Sequence, residues 1–185
     1  WRRNISAIKR IGDLTVGGDC SGLNANVRAV TLTAINKYGC EVIGFKKGYA
    51  GLYANDYMEL TVENTEKILN QGGTILRNSN KDNLFNYAYR DENGNIMHKD
   101  VSDVAVENLK KLNIDALVVI GGDGTLTSAR DFARKGVKVI GVPKTIDNDV
   151  LYVDHTFGFT TALGVICNAI DRVRTTAYSH DRVQI

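Results

Sequence analysis

Three short stretches hold the residues of this sequence that could do chemistry. Residues 121–125 read Gly-Gly-Asp-Gly-Thr and follow a hydrophobic run, Ala116 to Ile120, that is typical of a buried strand. Glycines at such a turn let the backbone approach a ligand, and the free N–H groups of a following helix favour an anion such as phosphate. Asp123 would repel a bare phosphate, so we expect it to hold a Mg²⁺ ion that bridges the phosphates. A plain tight connection between strand and helix is the alternative.

The other two stretches also follow predicted strands. Residues 17–22 form a second Gly-Gly-Asp turn, and residues 143–149 read Pro-Lys-Thr-Ile-Asp-Asn-Asp. The latter combines a cation, a hydroxyl and carboxylates. A carboxylate beside bound phosphate and Mg²⁺ could take a proton from a substrate hydroxyl, as the catalytic aspartate of protein kinases does. Asn and Asp are also common in solvated turns, which is the alternative for this stretch.

The elements that must position these stretches alternate between strands and helices. Apolar runs predict strands at residues 8–16, 41–46, 74–76, 116–120 and 137–142, the last ending before Pro143. Apolar residues at steps of three and four predict helices at residues 23–38, 61–70, 100–112, 125–135 and from Phe159 onward. This alternation predicts an α/β domain with a Rossmann-like parallel sheet and helices on both faces. Ligands bind outside the carboxyl ends of such strands, where all three stretches lie, so the pattern favours phosphoryl transfer.

Some parts of the chain fit this pattern less simply. Asp13 places a charge inside a predicted strand and would sit more easily at an edge or a bend. Residues 48–52 are typical of a turn. Residues 77–99 are polar, lack clear periodicity and predict a long loop, which in a compact domain is often functional. Residues 1–7 predict a flexible N-terminal end.

Composition argues against several other classes of protein. The net charge of +2 gives no case for nucleic acid or an anionic membrane. No apolar run approaches the ~18 residues that span a bilayer, and no secretory signal pattern opens the chain. The three cysteines are scattered, indicate neither a disulfide framework nor a zinc site, and are typical of a reducing compartment. We therefore expect a cytoplasmic protein without nucleic-acid or membrane partners.

Taken together, the motifs resemble those of the 6-phosphofructokinase family. The matching segments occur in that family's order and spacing, and they are residues 17–25, 48–52, 121–125, 143–149 and 180–182. Gly-Gly-Asp-Gly-Thr also occurs in NAD kinases and diacylglycerol kinases, whereas the stretch 143–149 is specific to phosphofructokinases. The resemblance implies the first domain of the phosphofructokinase fold. It also implies phosphoryl transfer to the 1-hydroxyl of fructose 6-phosphate, giving fructose 1,6-bisphosphate in glycolysis.

The resemblance also implies roles for individual residues. Asp147 matches the catalytic base, Thr145 a residue that contacts the sugar phosphate and the transferred group, and Asp123 the Mg²⁺ aspartate. Gly18 matches the glycine whose N–H meets the terminal phosphates, and Arg182 an arginine that reaches the sugar phosphate of a neighbouring subunit. Further nucleotide-binding positions would be Gly122, Gly124, Thr125, Asn80 and Lys81, although bacterial enzymes have an arginine at the position of Asn80.

Two residues bear on the phosphoryl donor, and they point in opposite directions. Pyrophosphate-dependent relatives usually have an aspartate in place of Gly124, and the glycine leaves room for a nucleotide α-phosphate. Lys144 is usual in pyrophosphate enzymes, although ATP-dependent members of a mixed group combine it with this glycine. Because steric exclusion is harder to evade than one flexible cation, we predict ATP as the donor, with pyrophosphate as the alternative.

Regulation and assembly are implied by the resemblance alone. Arg28 and Arg174 match effector-site arginines of bacterial ATP enzymes, but Leu32 replaces a further one, and both arginines could equally be solvated helix residues. The family suggests a homotetramer and a second domain after residues 8–185 that completes the sugar-phosphate site. A non-catalytic nucleotide-binding fragment is therefore an alternative function, and we expect little or no turnover from these 185 residues alone.

Overall fold

The computed structural model describes residues 8–79 and 83–184 of the chain. Its strands are β1 Arg10–Thr15, β2 Glu41–Phe45, β3 Tyr57–Leu60, β4 Tyr87–Arg90, β5 Ile96–Lys99, β6 Ala116–Gly121, β7 Val139–Thr145 and β8 Phe157–Gly158. Its helices are α1 Leu23–Tyr38, α2 Tyr49–Ala54, α3 Val62–Thr65, α4 Ser102–Lys111, α5 Asp123–Arg134 and α6 Phe159–Ser179.

Six of these strands form one sheet in the order β3-β2-β1-β6-β7-β8. All neighbouring pairs are parallel except β2 with β3, which adds an antiparallel edge. The predicted α/β class with a mainly parallel sheet is therefore confirmed. Strands β1, β6 and β7 are direct neighbours, so the three polar stretches that follow them emerge at the same edge of the sheet.

Helices cover both faces of this sheet, as predicted. On one face α1 packs through Leu23, Val27 and Ala34, whose spacing follows the helical repeat. On the other face α2, α4 and α5 contribute to one core, in which Phe132 of α5 is completely buried against Tyr49 of α2 and Phe85. The two cores hold β6 rigidly, because its side chains alternate between them and every residue of this strand is buried.

Three of the short elements predicted from the sequence are wrong. Residues 48–52 are not a turn, because α2 begins at Tyr49. Glycine is required at position 51, where a Cβ would lie 1.8 Å from the carbonyl oxygen of Lys46. The helix predicted at residues 61–70 is limited to α3, and the chain then turns to bury Ile68. The strand predicted at residues 74–76 is a turn. Leu76 is buried there although it lies in a loop and not in a strand.

The long polar loop predicted at residues 77–99 contains a β-hairpin. Strands β4 and β5 pair with each other in a separate two-stranded sheet. All of β5 and most of β4 are exposed. Because neither face of this hairpin is buried, its residues do not alternate between apolar and polar, and the periodicity that indicates a strand is missing.

Strand β7 continues through Pro143, where the sequence predicted its end. Pro143 pairs with Gly121 of β6, whereas pairing with β8 begins only at Lys144. One side of the strand therefore has no partner at the proline, and the missing N–H is tolerated there as it is at a sheet edge. The continuation carries Lys144 and Thr145 to the end of the sheet in a fixed register.

Asp13 lies in the centre of the sheet and not at an edge or a bend. It pairs with Gly44 of β2 on one side and with Val118 of β6 on the other. The side chain is completely buried, and neither carboxyl oxygen has a hydrogen-bond partner among the described residues. Burial raises the pKa of Asp13 to about 7, and the neighbouring Leu14 backbone, which does not meet hydrogen-bond geometry with the carboxylate, offsets only a small part of this effect.

Helix α6 forms as predicted, but its apolar face is not covered by the rest of the described chain. None of its residues is buried, and its exposed apolar residues include Leu163, Ile166, Ile170 and Val173. Within residues 8–79 and 83–184, we find no helix with the length and hydropathy of a membrane span.

Candidate active site

The carboxyl ends of β1, β6 and β7 open into one groove of about 450 Å³, which we call the donor groove. All three polar stretches contribute to its wall. The residues that line it are Val16, Gly17, Gly18, Tyr49, Asn83, Gly122, Asp123, Gly124, Thr125, Ser128, Lys144, Thr145, Asp147 and Asp149. Glycine backbone and carboxylates therefore line one space that is large enough for a phosphate ester.

The start of α5 forms one wall of the donor groove. Gly122 precedes the helix and Asp123 is its first residue, so the unsatisfied N–H groups of the first turn lie beside an exposed carboxylate. Gly121 must be glycine, because a Cβ there would lie 2.4 Å from a side-chain carbon of Thr125. The Tyr49 hydroxyl donates to the carbonyl of Thr125 at 2.9 Å, which holds this turn against the core. The geometry suits an anion accompanied by a metal ion.

Gly124 leaves the groove open next to the helix start. A Cβ added there would meet no atom within 4 Å. The buried hydroxyl of Ser128, one helical turn later, donates to the carbonyl of Gly124 at 3.3 Å. A side chain at position 124 would therefore take space from an occupant of the groove without disturbing the fold.

The turn after β7 adds a carboxylate to the same groove. The Thr145 hydroxyl accepts a hydrogen bond from the Asp147 N–H at 3.1 Å and donates to the Asp147 carboxylate at 3.4 Å. Asn148 is left-handed, with φ of 52°, and its side-chain oxygen accepts from the N–H of Thr156 at 2.9 Å. The buried Thr156 hydroxyl donates to the Thr145 carbonyl at 2.8 Å. These bonds hold Asp147 exposed in the groove, where it can act on a ligand.

Lys144 ties the third stretch to the first. Its side chain is buried, and Nζ donates to the carbonyl of Gly18 at 2.6 Å. Loss of solvation lowers the pKa of Lys144, while Cys20 and Asp19 nearby partly offset this effect. The ammonium group thus binds the backbone of the glycine loop that it supports.

Comparison with known proteins decides the family. A family model described as Phosphofructokinase matches residues 10–185. The chain belongs to the phosphofructokinase family. The resemblance stated from the motifs is therefore confirmed over nearly the whole sequence.

Two curated relatives of this phosphofructokinase chain differ in their donor. It is 66% identical over 178 residues to ATP-dependent 6-phosphofructokinase 2 of Clostridium perfringens, covering 96% of this chain and 49% of the relative. It is 49% identical over 174 residues to a pyrophosphate–fructose 6-phosphate 1-phosphotransferase of Dictyoglomus thermophilum, covering 94% of this chain and 46% of the relative. The chain thus spans about half the length of the curated relatives it matches.

A solved structure agrees with this assignment. The phosphofructokinase from Saccharomyces cerevisiae superimposes with a TM-score of 0.76 at 33% identity, covering 94% of this chain and 25% of that chain. The sheet and helices described above are therefore the phosphofructokinase fold.

The structure brings most of the predicted site residues of this phosphofructokinase chain together. Gly18, Gly122, Asp123, Gly124, Thr125, Lys144, Thr145 and Asp147 all line the donor groove. Their individual roles stay predictions. Asn80 and Lys81 lie outside the described residues.

The predicted arginines lie away from the donor groove. Arg182 follows α6 and is exposed, and it does not line the groove. Arg28 of α1 donates from Nε to the carbonyl of Glu66 at 3.1 Å, and Arg174 is exposed on α6. An interaction of Arg182 with a neighbouring subunit and an effector role for the other two arginines stay predictions.

Asn83 and Ser128 line the donor groove but were not predicted. Ser128 follows Gly124 by four residues, so the helical repeat could have indicated that it faces the same space. Asn83 lies in the polar segment without periodicity, and no local signal in the sequence indicates its position. Its side-chain oxygen accepts from the N–H of Phe85 at 3.0 Å, which fixes the start of the next turn.

The residues of the groove fit a Mg²⁺ ion that arrives with its ligand. Within the described part of the chain, no group of three or more His, Cys, Asp or Glu side chains could hold a metal alone. Mg²⁺ keeps several waters and is usually bound by one or two carboxylates together with substrate phosphates. Exposed carboxylates of Asp123, Asp147 and Asp149 beside glycine N–H groups provide this kind of partial site.

Proposed function

We propose that the protein is a 6-phosphofructokinase that transfers a phosphoryl group from ATP to the 1-hydroxyl of fructose 6-phosphate. The products would be fructose 1,6-bisphosphate and ADP, as in glycolysis. The convergence of two Gly-Gly-Asp turns and the Thr145–Asp147 turn in one groove carries the proposal. Membership of the phosphofructokinase family supports it, as does the 66% identity to a relative named ATP-dependent.

The chemistry assigns each wall of the groove a task. Asp147 accepts the proton of the 1-hydroxyl while the hydroxyl oxygen bonds to the terminal phosphorus, and the bond from that phosphorus to the bridging oxygen of ADP breaks. The Gly18 N–H and the first turn of α5 bind the phosphates. Mg²⁺, when bound, supplies charge neutralisation of the phosphates, and Asp123 would hold it.

The open space at Gly124 supports ATP over pyrophosphate. A nucleotide needs room beyond the two phosphates that pyrophosphate shares with it, and a Cβ at position 124 would project into such room. The ammonium group of Lys144 binds the Gly18 carbonyl, so it stabilises the loop whichever donor is used. These contacts support the donor prediction made from the sequence.

The direct test is an assay of the full-length protein with fructose 6-phosphate, Mg²⁺ and either ATP or pyrophosphate. We expect fructose 1,6-bisphosphate to form with ATP and not with pyrophosphate. Turnover with pyrophosphate alone would overturn the donor assignment. Absence of turnover with both donors, in a protein that still binds nucleotide, would instead support a non-catalytic nucleotide-binding role.

Gly124→Asp should separate the two donors. The variant should fold normally, because its side chain enters open space, but its turnover with ATP should fall by about 100-fold or more. The added carboxylate would occupy the room next to the phosphates and repel them. Steady-state rates with ATP and with pyrophosphate would measure the effect.

Gly124→Ala is the matched control, because it adds a Cβ without a charge. It should retain much more ATP turnover than the aspartate variant. Equal activity of the wild type and Gly124→Asp with ATP would show that the nucleotide does not pass Gly124.

The proposal extends to parts that residues 8–184 do not contain. We infer that a second domain completes the sugar-phosphate site, because the relatives are about twice as long and the apolar face of α6 is uncovered. The same proposal includes three further points. Arg182 contacts the sugar phosphate of a neighbouring subunit, the protein is a homotetramer, and it is located in the cytoplasm. Size-exclusion chromatography with light scattering on the full-length protein would test the assembly.

A further inference from the structure

A second groove borders the same glycine loop. It has a volume of about 480 Å³ and shares Gly17 and Gly18 with the donor groove. We call it the side groove. Its remaining lining residues are Asp19, Gly72, Gly73, Thr74, Arg77 and Asn78. Because both grooves are lined by Gly17 and Gly18, a ligand bound at this loop would border both of them.

Arg77 has an unusual backbone conformation in the side groove. Its φ is 60°, in the left-handed region that glycine adopts easily and that costs a side chain free energy. The Arg77 N–H donates to the Thr74 carbonyl at 3.1 Å, and the Arg77 carbonyl accepts from the Thr15 hydroxyl at 3.3 Å. The backbone at Arg77 is therefore held in this conformation by the end of the central strand β1.

The guanidinium group of Arg77 is available to a ligand. The side chain is exposed, and within the described ranges its guanidinium forms neither a hydrogen bond nor an ion pair. The carboxylate that shares the side groove, Asp19, accepts a hydrogen bond from the Asn78 amide at 3.0 Å and is not paired with Arg77. Planar guanidinium donors match the oxygens of a phosphate.

The donor groove offers a phosphate donor little positive charge. Asp123, Asp147 and Asp149 make the donor groove acidic. Among the described residues that line it, the one cationic side chain is Lys144, which is buried and bonded to the Gly18 carbonyl. A di- or triphosphate keeps net negative charge even with a bound Mg²⁺. Arg77 is the one cation that lines the side groove within the described residues, and this groove reaches the same loop.

We propose that Arg77 binds the terminal phosphate of the phosphoryl donor from the side groove, while that phosphate lies against Gly18. The inference rests on the proposed function, and it adds a donor-binding residue outside the predicted motifs. The recognised chemistry is a phosphoanhydride. ATP and pyrophosphate share this group, so separate titrations with each must distinguish them.

The test uses Arg77→Gly in the full-length protein. Glycine removes the cation and adopts φ of 60° without strain, so Tm should stay unchanged or rise. Calorimetric titration with MgATP and with magnesium pyrophosphate should show Kd raised about tenfold or more for the donor that the enzyme uses, as expected for loss of a charged hydrogen bond. KM for fructose 6-phosphate should change less than twofold, and Arg77→Lys should retain an intermediate donor affinity.

Lys47→Gly is the matched control. Lys47 is also an exposed cation with a left-handed backbone, with φ of 56°, but it lines neither groove. Its replacement should alter Tm as Arg77→Gly does and leave the donor Kd unchanged. An equal loss of donor affinity in both variants would mean that net charge, and not a specific contact, is responsible, which would overturn the proposal.

Two further outcomes would also overturn it. Unchanged Kd values in Arg77→Gly would make Arg77 a solvated turn residue, and a raised KM for fructose 6-phosphate alone would place the guanidinium on the acceptor. Failure of the proposed function has a different signature. In that case the wild type would lack turnover, while the titrations would still report whether Arg77 contributes to phosphate binding.

Discussion

Replacing Asp13 by asparagine should stabilise the protein, and the gain should be larger at pH 8 than at pH 5. At pH 8 we expect the substitution to increase the free energy of unfolding by about 4 kcal/mol. Burial raises the pKa of Asp13 from 3.8 to about 7, and each pH unit of that difference corresponds to ~1.4 kcal/mol. Between the two pH values the gain should change by about 3 kcal/mol. Such a change is large beside the stability of a typical domain.

The direction follows from the two states of the carboxyl group. In the unfolded chain Asp13 ionises near its ordinary pKa of 3.8, whereas burial in the folded chain raises the pKa to about 7. Below pH 3.8 both states are protonated and folding carries no ionisation cost. As pH rises towards 7 only the unfolded chain loses its proton, so stability falls, and above 7 it stays at the lower level.

Urea unfolding of the wild type and Asp13→Asn at pH 5 and pH 8 would measure the effect. Taking the difference between the two proteins cancels every group that the substitution leaves unchanged. Asp13→Val should gain at least as much, because it also removes unpartnered polar atoms from the core. A gain that is the same at both pH values would mean that Asp13 does not titrate in this range.

Asp115→Asn provides a control of opposite character. Asp115 accepts hydrogen bonds from the N–H groups of Lys9 and Arg10, which lower its pKa. The stability that it contributes is present above its unfolded pKa and is lost only as pH falls below that range. Its variant should therefore show no change in its effect between pH 5 and pH 8.

Asp147→Asn should reduce kcat with ATP by about 1,000-fold, within the range known for loss of a general base. The amide has the shape of the carboxylate and can still hydrogen bond to Thr145, but it cannot take the proton of the 1-hydroxyl. KM for ATP should change little, because phosphate binding is assigned to the Gly18 N–H and the first turn of α5 and not to Asp147. Single-turnover rates on the full-length protein would separate the chemical step from product release.

Asp149→Asn is the matched control, because it removes a carboxylate from the same groove two residues away. Its kcat should fall much less, since the side chain is not assigned the proton. An equal reduction in both variants would indicate that the groove needs negative charge in general and that Asp147 is not the base. Retention of full activity in Asp147→Asn would remove the assigned mechanism.

The sequence predicted the four central strands of the sheet, β1, β2, β6 and β7, and the main contributors to the donor groove because their signals are local. A buried run such as Ala116 to Ile120, followed by glycines and a helical repeat, specifies a strand, a turn and a helix within about a dozen residues. Strands of this kind join a parallel sheet, and a parallel sheet places its following loops at one edge. The positions of Gly18, Asp123 and Asp147 in one groove follow from that rule.

Features that depend on distant neighbours could not be predicted in this way. Asn83 lines the donor groove, and Arg77 lines the side groove. Both belong to the polar segment 77–99, whose exposed hairpin does not alternate between apolar and polar residues. Pro143 is accepted inside β7 only because β8 pairs one residue later. No pattern within the chain reports where such partners begin.

The sequence by itself determined the fold class, the family and the chemical types gathered at the end of the sheet, because each depends on residue order and local periodicity. Tertiary structure alone decided that Asp13 is central and unpartnered, that Lys144 is committed to the Gly18 carbonyl, and that Arg77 lines a groove with its guanidinium unpaired within the described residues. The physical reason is that burial, hydrogen bonding and the pKa of a side chain depend on which atoms surround it. Those atoms come from strands and loops far away in the sequence.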